Sequence, residues 1–374
     1  MAKLHDSEIV KIRIKRIEKE IRDTPYHKGT EHHIGRLRAK LSMLKDKAES
    51  KLSKKSGGRI GYAVKKQGDA TVTLVGPPSV GKSTLINKLT NANSKIAPYA
   101  FTTLTVIPGM MDYHDAKIQI LDVPGIIEGA EIGKGRGREV LSVARGSDLL
   151  IVMCDVNKIK SFDWILASLE KNGIRVNKQA PNVVIEKKLK GGIQVIANFK
   201  QDFTKETVKE ISKEFRIANA EIIIKEKLSI DRLIDAFSPN RVYVPSIYVV
   251  NKSDLLETKS KNSKLKKDLS HVTYIDICYM SAEKGIGLKK LNHLIWKKLG
   301  LVRIYLVRAN EKPSFDNPLI MKRGQNLKEV AQKVGTEFAE NKTRAKIWGV
   351  GAKFPGQEVS LSKQIQEGMQ VRFV

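Results

Sequence analysis

Lys82 and Ser83 close the run GPPSVGKST over residues 76–84, in which Gly76, Gly81, Lys82 and Ser83 stand at the spacing of a phosphate-binding loop. Small residues there let successive backbone N–H groups turn inward onto phosphate oxygens. Lys82 supplies a point charge for the β and γ phosphates, the Ser83 hydroxyl can complete a magnesium shell, and the following helix adds the positive end of its dipole. Ser79, Val80 and Thr84 belong to the same cradle.

Three further motifs follow in an order that narrows the chemistry. About 40 residues on, DVPG places Asp122 and Gly125 after an apolar run. There the carboxylate can hold a magnesium-bound water and the glycine N–H can meet a γ-phosphate. NKSD brings Asn251, Lys252 and Asp254 to the end of another apolar run. Asp254 can accept from both N1–H and the exocyclic amine of guanine, a donor pair adenine lacks, and rejection through unpaired polar groups is strong. The Lys252 stem can lie across the base, and Asn251 can brace the phosphate loop. Finally SAE places Ser281 and Ala282 where a backbone N–H can reach guanine O6. The expected ligand is GTP or GDP with magnesium.

Strands and helices must hold these residues. Residues 70–75 lead into the phosphate loop and a helical pattern over 85–89 leaves it. Runs at 110–113 and 116–121, joined at His114 and Asp115, predict a hairpin feeding Asp122; residues 148–156 and 246–250 predict buried strands, and residues 272–280 a further strand. The segment GAEIGKGRGREV after DVPG reads as a mobile switch rich in glycine and arginine. With a chain of 374 residues, two to four domains are expected. The fold class is α/β: a P-loop nucleotide-binding domain over 69–160 and 241–300, interrupted by an inserted α+β domain over 161–240. Around it lie a basic helical hairpin and linker over 1–68 and a C-terminal β-grasp domain over 301–374. Val10, Ile14, Ile17 and Ile21, then Ile34, Leu37, Leu41 and Leu44, set the two hairpin helices, broken by Pro25 and Gly29.

The net charge of +28 is unevenly spread. Residues 71–156 balance to zero, whereas residues 1–70 carry +10, 157–240 carry +5, 241–300 carry +7 and 301–374 carry +6. A neutral nucleotide core in a basic surround points to a polyanionic partner, RNA rather than DNA, with Lys-rich solubility as the alternative. No apolar run reaches the roughly 18 residues of a membrane helix and the first residues carry no apolar signal, so no membrane partner and a cytoplasmic location are expected. Cys154 and Cys278 suit buried reduced thiols. The adjacent His32 and His33 read as solvated surface residues.

These motifs, with FTTLTVIPG at Phe101, NGIRVNK and NRVYVP, SAEKGIG, and Trp348–Gly349, make the chain resemble the developmentally regulated GTP-binding proteins, an Obg-related branch of the P-loop GTPases, along essentially its whole length. The resemblance implies a Ras-like G domain interrupted by a ribosomal-protein-like insertion, and a TGS domain of the type shared with threonyl-tRNA synthetase. It also implies association with translating ribosomes, often through a dedicated protein partner; slow GTP hydrolysis is expected from Ile126, whose side chain cannot hydrogen-bond a water. On the family pattern Thr103 is the switch threonine that ligates magnesium in the GTP state, with Thr102 as fallback, and Lys82, Thr103 and Gly125 carry catalysis. Ile126 stands where Ras-like enzymes place a water-orienting glutamine. Ser79 stands where potassium-using relatives carry asparagine, so potassium enters only as a further candidate cofactor. The rival reading is an RNA-binding scaffold that senses GTP with negligible turnover.

Overall fold

The runs ATVTLV and LLIVMCD become neighbouring parallel strands in which every residue is buried. Strands covered on both faces have no polar side to alternate with. The computed structural model of the chain describes residues 2–53, 66–90, 107–123, 136–256 and 277–374. These fall into two compact units, one formed by Met1–Gly61 with Gly173–Tyr243, the other by Tyr62–Asn172 with Val244–Val374.

The chain begins with two helices, α1 (Ala2–Asp23) and α2 (Glu31–Ser53). The second unit opens with β1 (Ala70–Val75) and α3 (Lys82–Leu89), then the antiparallel hairpin β2 (Ile107–Tyr113) and β3 (Ala116–Asp122). His114 and Asp115 form its two-residue turn with φ of 49° and 65°, the left-handed pair that a tight hairpin favours. Next come α4 (Arg136–Gly146), β4 (Leu149–Asp155) and α5 (Ser161–Lys171).

The insertion contains β5 (Ile174–Val176), β6 (Val183–Lys187), β7 (Ile193–Ala197), α6 (Lys205–Glu214), β8 (Ala220–Ile224), α7 (Ile230–Phe237) and β9 (Val242–Val244). The nucleotide domain resumes with β10 (Ser246–Asn251), β11 (Ile277–Tyr279) and α8 (Leu288–Leu299). Its six-stranded sheet runs β11-β10-β4-β1-β3-β2, parallel except at β2.

Two expectations change here. Helix α5 falls within the span expected for the insertion, but its buried Phe162, Ile165 and Leu169 belong with the second unit, where Phe162 meets Tyr248 edge-on at 5.6 Å. The insertion therefore starts at Gly173, whose φ of 75° turns the chain out of the helix.

The helical hairpin, expected to form a domain of its own, instead shares a core with the insertion. Ala39 of α2 is buried among Val208, Ile211, Ile222 and Leu233. A Cβ added at Gly35 would come within 3.0 Å of the Thr207 methyl, so glycine permits the close crossing of α2 and α6. Glu31 accepts from the Thr204 N–H and the Thr207 hydroxyl, and His32 is half-buried against Thr207 at 2.9 Å rather than free at the surface. Arg241, nearly enclosed, reaches both Asp235 and Asp46.

The C-terminal domain is a five-stranded mixed sheet, ordered β13-β12-β16-β14-β15. Its strands are β12 (Leu301–Leu306), β13 (Pro318–Lys322), β14 (Arg344–Trp348), β15 (Gln357–Ser360) and β16 (Met369–Phe373). Helix α9 (Leu327–Val334) lies on one face, held at its start by a capping box between Asn326 and Glu329. A short α10 (Thr336–Glu340) follows.

Candidate nucleotide-binding site

The carboxyl ends of β1, β3, β10 and β11 bring the motifs to one edge of the sheet, the place where open parallel sheets hold ligands. The loop after β1 is shaped by close approach. A Cβ on Gly76 would stand 2.3 Å from the Met153 carbonyl oxygen, and one on Gly81, whose φ is 92°, would stand 2.4 Å from Asn251 Nδ2. Ser79 also takes a left-handed backbone, with φ of 62°. Helix α3 then begins at Lys82, with its first N–H groups unpaired within the helix as at any helix start.

Lys82 folds back over this loop and donates to the carbonyls of Gly76 at 3.1 Å and Pro77 at 2.9 Å. Burial of the ammonium pushes its pKa down, while the nearby Asp122 carboxylate opposes that shift. A buried cation with only neutral carbonyls as direct partners is well prepared to meet a polyanion.

Ser83 Oγ donates to Asp122 Oδ2 at 2.8 Å, and the other carboxylate oxygen, Oδ1, is buried with no hydrogen-bond partner. A hydroxyl and a carboxylate with one orphaned oxygen are the hard oxygen donors that magnesium prefers. Among the described residues no group of three or more His, Cys, Asp or Glu side chains is gathered for a metal.

On the base side, Asn251 links the two halves of the site. Its Nδ2 donates to the Val80 carbonyl at 2.8 Å, and its Oδ1 accepts from the Ala282 N–H at 2.9 Å. Lys252, with φ of 60°, donates to the Ser79 carbonyl at 3.0 Å and stands 3.6 Å from Asp155. Asp254 lies in a single 3-10 turn, Ser253–Leu256. The Ser281 hydroxyl, then the Lys284 ammonium 3.5 Å away, hold its carboxyl below the usual carboxylate range. A cavity of about 380 Å³ opens here, walled by Gly81, Thr84, Lys252, Asp254, Ser281 and Ala282.

The structure thus brings together Gly76, Ser79, Val80, Gly81, Lys82, Ser83, Thr84 and Asp122 at one end, and Asn251, Lys252, Asp254, Ser281 and Ala282 at the other. Thr102, Thr103, Gly125 and Ile126 lie outside the described residues. Two contributors were missed: Asp155, which meets Lys252, and Lys284, which meets Asp254. Both follow directly on motif strands or turns, so an acid at the end of LLIVMCD and a lysine after SAE were the available signals.

Residues 71–188 match the family described as 50S ribosome-binding GTPase, residues 190–301 match the C-terminal region of that domain, and residues 302–374 match the TGS domain. The chain is 45% identical to an uncharacterized GTP-binding protein of Methanocaldococcus jannaschii over 95% of its own length and 90% of the relative's. With human developmentally-regulated GTP-binding protein 2 it shares 37% identity over 95% of this chain and 96% of that one. The chain belongs to the developmentally regulated GTP-binding protein family. It is a GTP-binding protein with a P-loop G domain and a C-terminal TGS domain, in a family of GTPases that generally uses magnesium. The Aquifex aeolicus Era structure with bound GDP and aluminium fluoride is also similar, at 19% identity, a TM-score of 0.32, and coverage of 75% of this chain and 72% of that one. Among the described residues no helix is long and apolar enough to cross a membrane.

Proposed function

We propose that this member of the developmentally regulated GTP-binding family hydrolyses GTP slowly as a switch whose partner is the ribosome or another RNA assembly in the cytoplasm. The observation that carries the switch is Asn251, one side chain bonded to both the phosphate loop and the base-side loop. Nucleotide held at either end is therefore felt at the other. The partner reading is supported by the charge-neutral stretch 71–156 within a chain of net charge +28, and by the description of the matched family as ribosome-binding.

Within the site, Lys82 leaves the Gly76 and Pro77 carbonyls for the β and γ phosphates when nucleotide enters. The backbone of Gly76, Ser79, Val80, Gly81 and Thr84 lines the phosphates, while Asp254, Ser281 and Ala282 read the guanine. Ser83, Asp122 and Thr103 would hold magnesium, which supplies charge neutralisation on the phosphate oxygens when bound. Gly125 offers its N–H to the γ-phosphate. No side chain of these motifs serves as a general base, and Ile126 cannot orient water by hydrogen bonding, so unaided hydrolysis is slow. Potassium is a candidate accelerator at Ser79, and a dedicated protein partner another.

Single-turnover hydrolysis of GTP, measured with sodium or potassium and with or without ribosomes or RNA, tests this. Acceleration of about tenfold or more by one of these additions is expected, since positioning and charge stabilisation supply nearly all of the catalysis. If none accelerates hydrolysis while GTP still binds, the GTP-sensing scaffold replaces the switch.

A further inference from the structure

A cavity of about 520 Å³ opens beside the phosphate loop and shares no wall residue with the one at the base motif. Pro77, Pro78 and Ser79 supply its loop side. Lys158, Lys160, Ser161 and Trp164, from the β4–α5 connection and the first turn of α5, supply the rest. The nucleotide chemistry described above uses none of these four. Among the described residues neither the Lys158 nor the Lys160 ammonium has an ion-pair partner, and the Trp164 indole, 40% exposed, makes no ring contact.

The connection that carries them is firmly held. Ser161 Oγ donates to the Lys158 carbonyl at 2.6 Å, Asp155 Oδ1 accepts from the Asn157 N–H at 3.0 Å, and the fully buried Phe162 anchors the turn against Tyr248. The opposite wall is the backbone that holds both lysines of the nucleotide site. The Pro77 carbonyl accepts from Lys82 at 2.9 Å and the Ser79 carbonyl from Lys252 at 3.0 Å. An occupant that fixes Pro77, Pro78 and Ser79 therefore acts on the phosphate loop from outside it.

The lining selects the occupant. Two ammoniums call for an anion, and an indole beside two proline rings calls for a flat apolar group. The N–H groups of Ser161 and Phe162 are spent on the Lys158 and Ile159 carbonyls at 2.9 and 3.0 Å, and among the described residues no arginine lines the cavity. The backbone cradle and the guanidinium fork that favour phosphate groups are both missing. Carboxylates on a short segment can each take one ammonium, and aromatic side chains are enriched where proteins meet.

We propose that this cavity receives an acidic segment of a protein partner, with one aromatic side chain set against the Trp164 indole and the proline rings and flanking carboxylates on Lys158 and Lys160. The proposal goes beyond the switch reading and needs only that the chain bind guanine nucleotide.

The test titrates the full chain, saturated with GDP, into the fluorescein-labelled peptide Glu-Asp-Phe-Glu-Asp and follows anisotropy. Replacing the peptide's phenylalanine by alanine, or Trp164→Ala in the chain, should each weaken binding about tenfold, the scale of one lost ring contact. Lys158→Gln with Lys160→Gln should weaken it about fivefold, whereas Lys312→Gln with Lys353→Gln, exposed lysines of the C-terminal domain, should leave it unchanged. GDP affinity without peptide should be the same in every variant, which also reports a folded nucleotide domain. Saturating unlabelled peptide should slow release of fluorescent GDP about threefold, since a loop already held costs less to order around nucleotide, and Trp164→Ala should abolish that effect. Absence of peptide binding overturns the proposal, as does release of GDP that peptide leaves unchanged. Equal weakening by the two lysine pairs would mark general attraction to a basic chain, and displacement of the peptide more readily by AMP than by unlabelled peptide would assign the cavity to a mononucleotide; either result also overturns it.

Discussion

The Lys322 ammonium stands 2.8 Å from an Asp148 carboxylate oxygen, tying the C-terminal sheet to the nucleotide-binding sheet at the end opposite the phosphate loop. The pattern repeats. Asp69, Asp115 and Asp148 immediately precede the neighbouring strands β1, β3 and β4, and receive Lys333 at 3.1 Å, Arg303 at 3.6 Å and Lys322 respectively. Three aspartates at the amino ends of adjacent strands thus meet three cations of the C-terminal domain, leaving the carboxyl ends open for nucleotide.

Asp148 also accepts from the Thr71 N–H at 3.0 Å and from Lys66. Asp148→Ala should therefore cost about 1–3 kcal/mol, mainly because the Thr71 donor loses its partner, read as a lower urea midpoint. Burial alone would raise this carboxyl, but Lys322, the Thr71 N–H and Lys66 together hold it below the usual range. A depressed folded-state value means the contribution is complete above the unfolded value near ~3.9 and is lost as pH falls through the folded one. Acid titration of the urea midpoint should show this loss in the unmodified chain and less of it in the variant.

Asn251→Ala removes the partners of the Val80 carbonyl and the Ala282 N–H at once, in a buried place. A loss of about 1–3 kcal/mol in guanine-nucleotide binding is expected, roughly one to two orders of magnitude in the dissociation constant of fluorescent GDP.

Asp254→Asn exchanges an acceptor for an amide that can donate to a C2 carbonyl. Preference should move from guanine toward xanthine nucleotides by roughly 100-fold or more. Competition of GTP and XTP for the site measures it, and unchanged GTP affinity would take Asp254 out of the base contact.

Ser83→Ala leaves Asp122 without its 2.8 Å donor and removes the hydroxyl from the magnesium donor set. GDP release should become insensitive to chelation, whereas in the unmodified chain chelator should speed release about tenfold, since magnesium held with the help of Ser83 would neutralise charge on the phosphates.

Arg241→Ala leaves Asp46 and Asp235 short of a cation in the first unit, although Arg175 still reaches Asp235. About 3 kcal/mol of local stability should be lost, as when a buried pair is broken from one side. Faster amide exchange in α2 and α7, with GTP affinity unaltered, is the expected signature.

Much of the site was legible in order and spacing. Phosphate loop, Asp122, NKSD and SAE each sit at a strand's carboxyl end, because a tight loop leaving a buried strand demands the small and polar residues that also make the chemistry. The fate of α5 was not legible, since an amphipathic stripe such as Phe162, Ile165 and Leu169 says that a face is buried but not against what. For the same reason the stripe on α2 did not disclose that it covers α6.

The residues by themselves determined the ligand class: a backbone cradle, a lysine, the proposed magnesium donors and the carboxylate proposed to read guanine are local devices whose types and spacing carry their chemistry. Only the tertiary structure decided what those devices are joined to. Asn251 binds two loops 171 and 31 residues away in sequence, and Asp148 and Lys322 meet across 174 residues. Such pairings depend on which strand lies beside which, and strand order is set by packing of the whole sheet rather than by any segment of it.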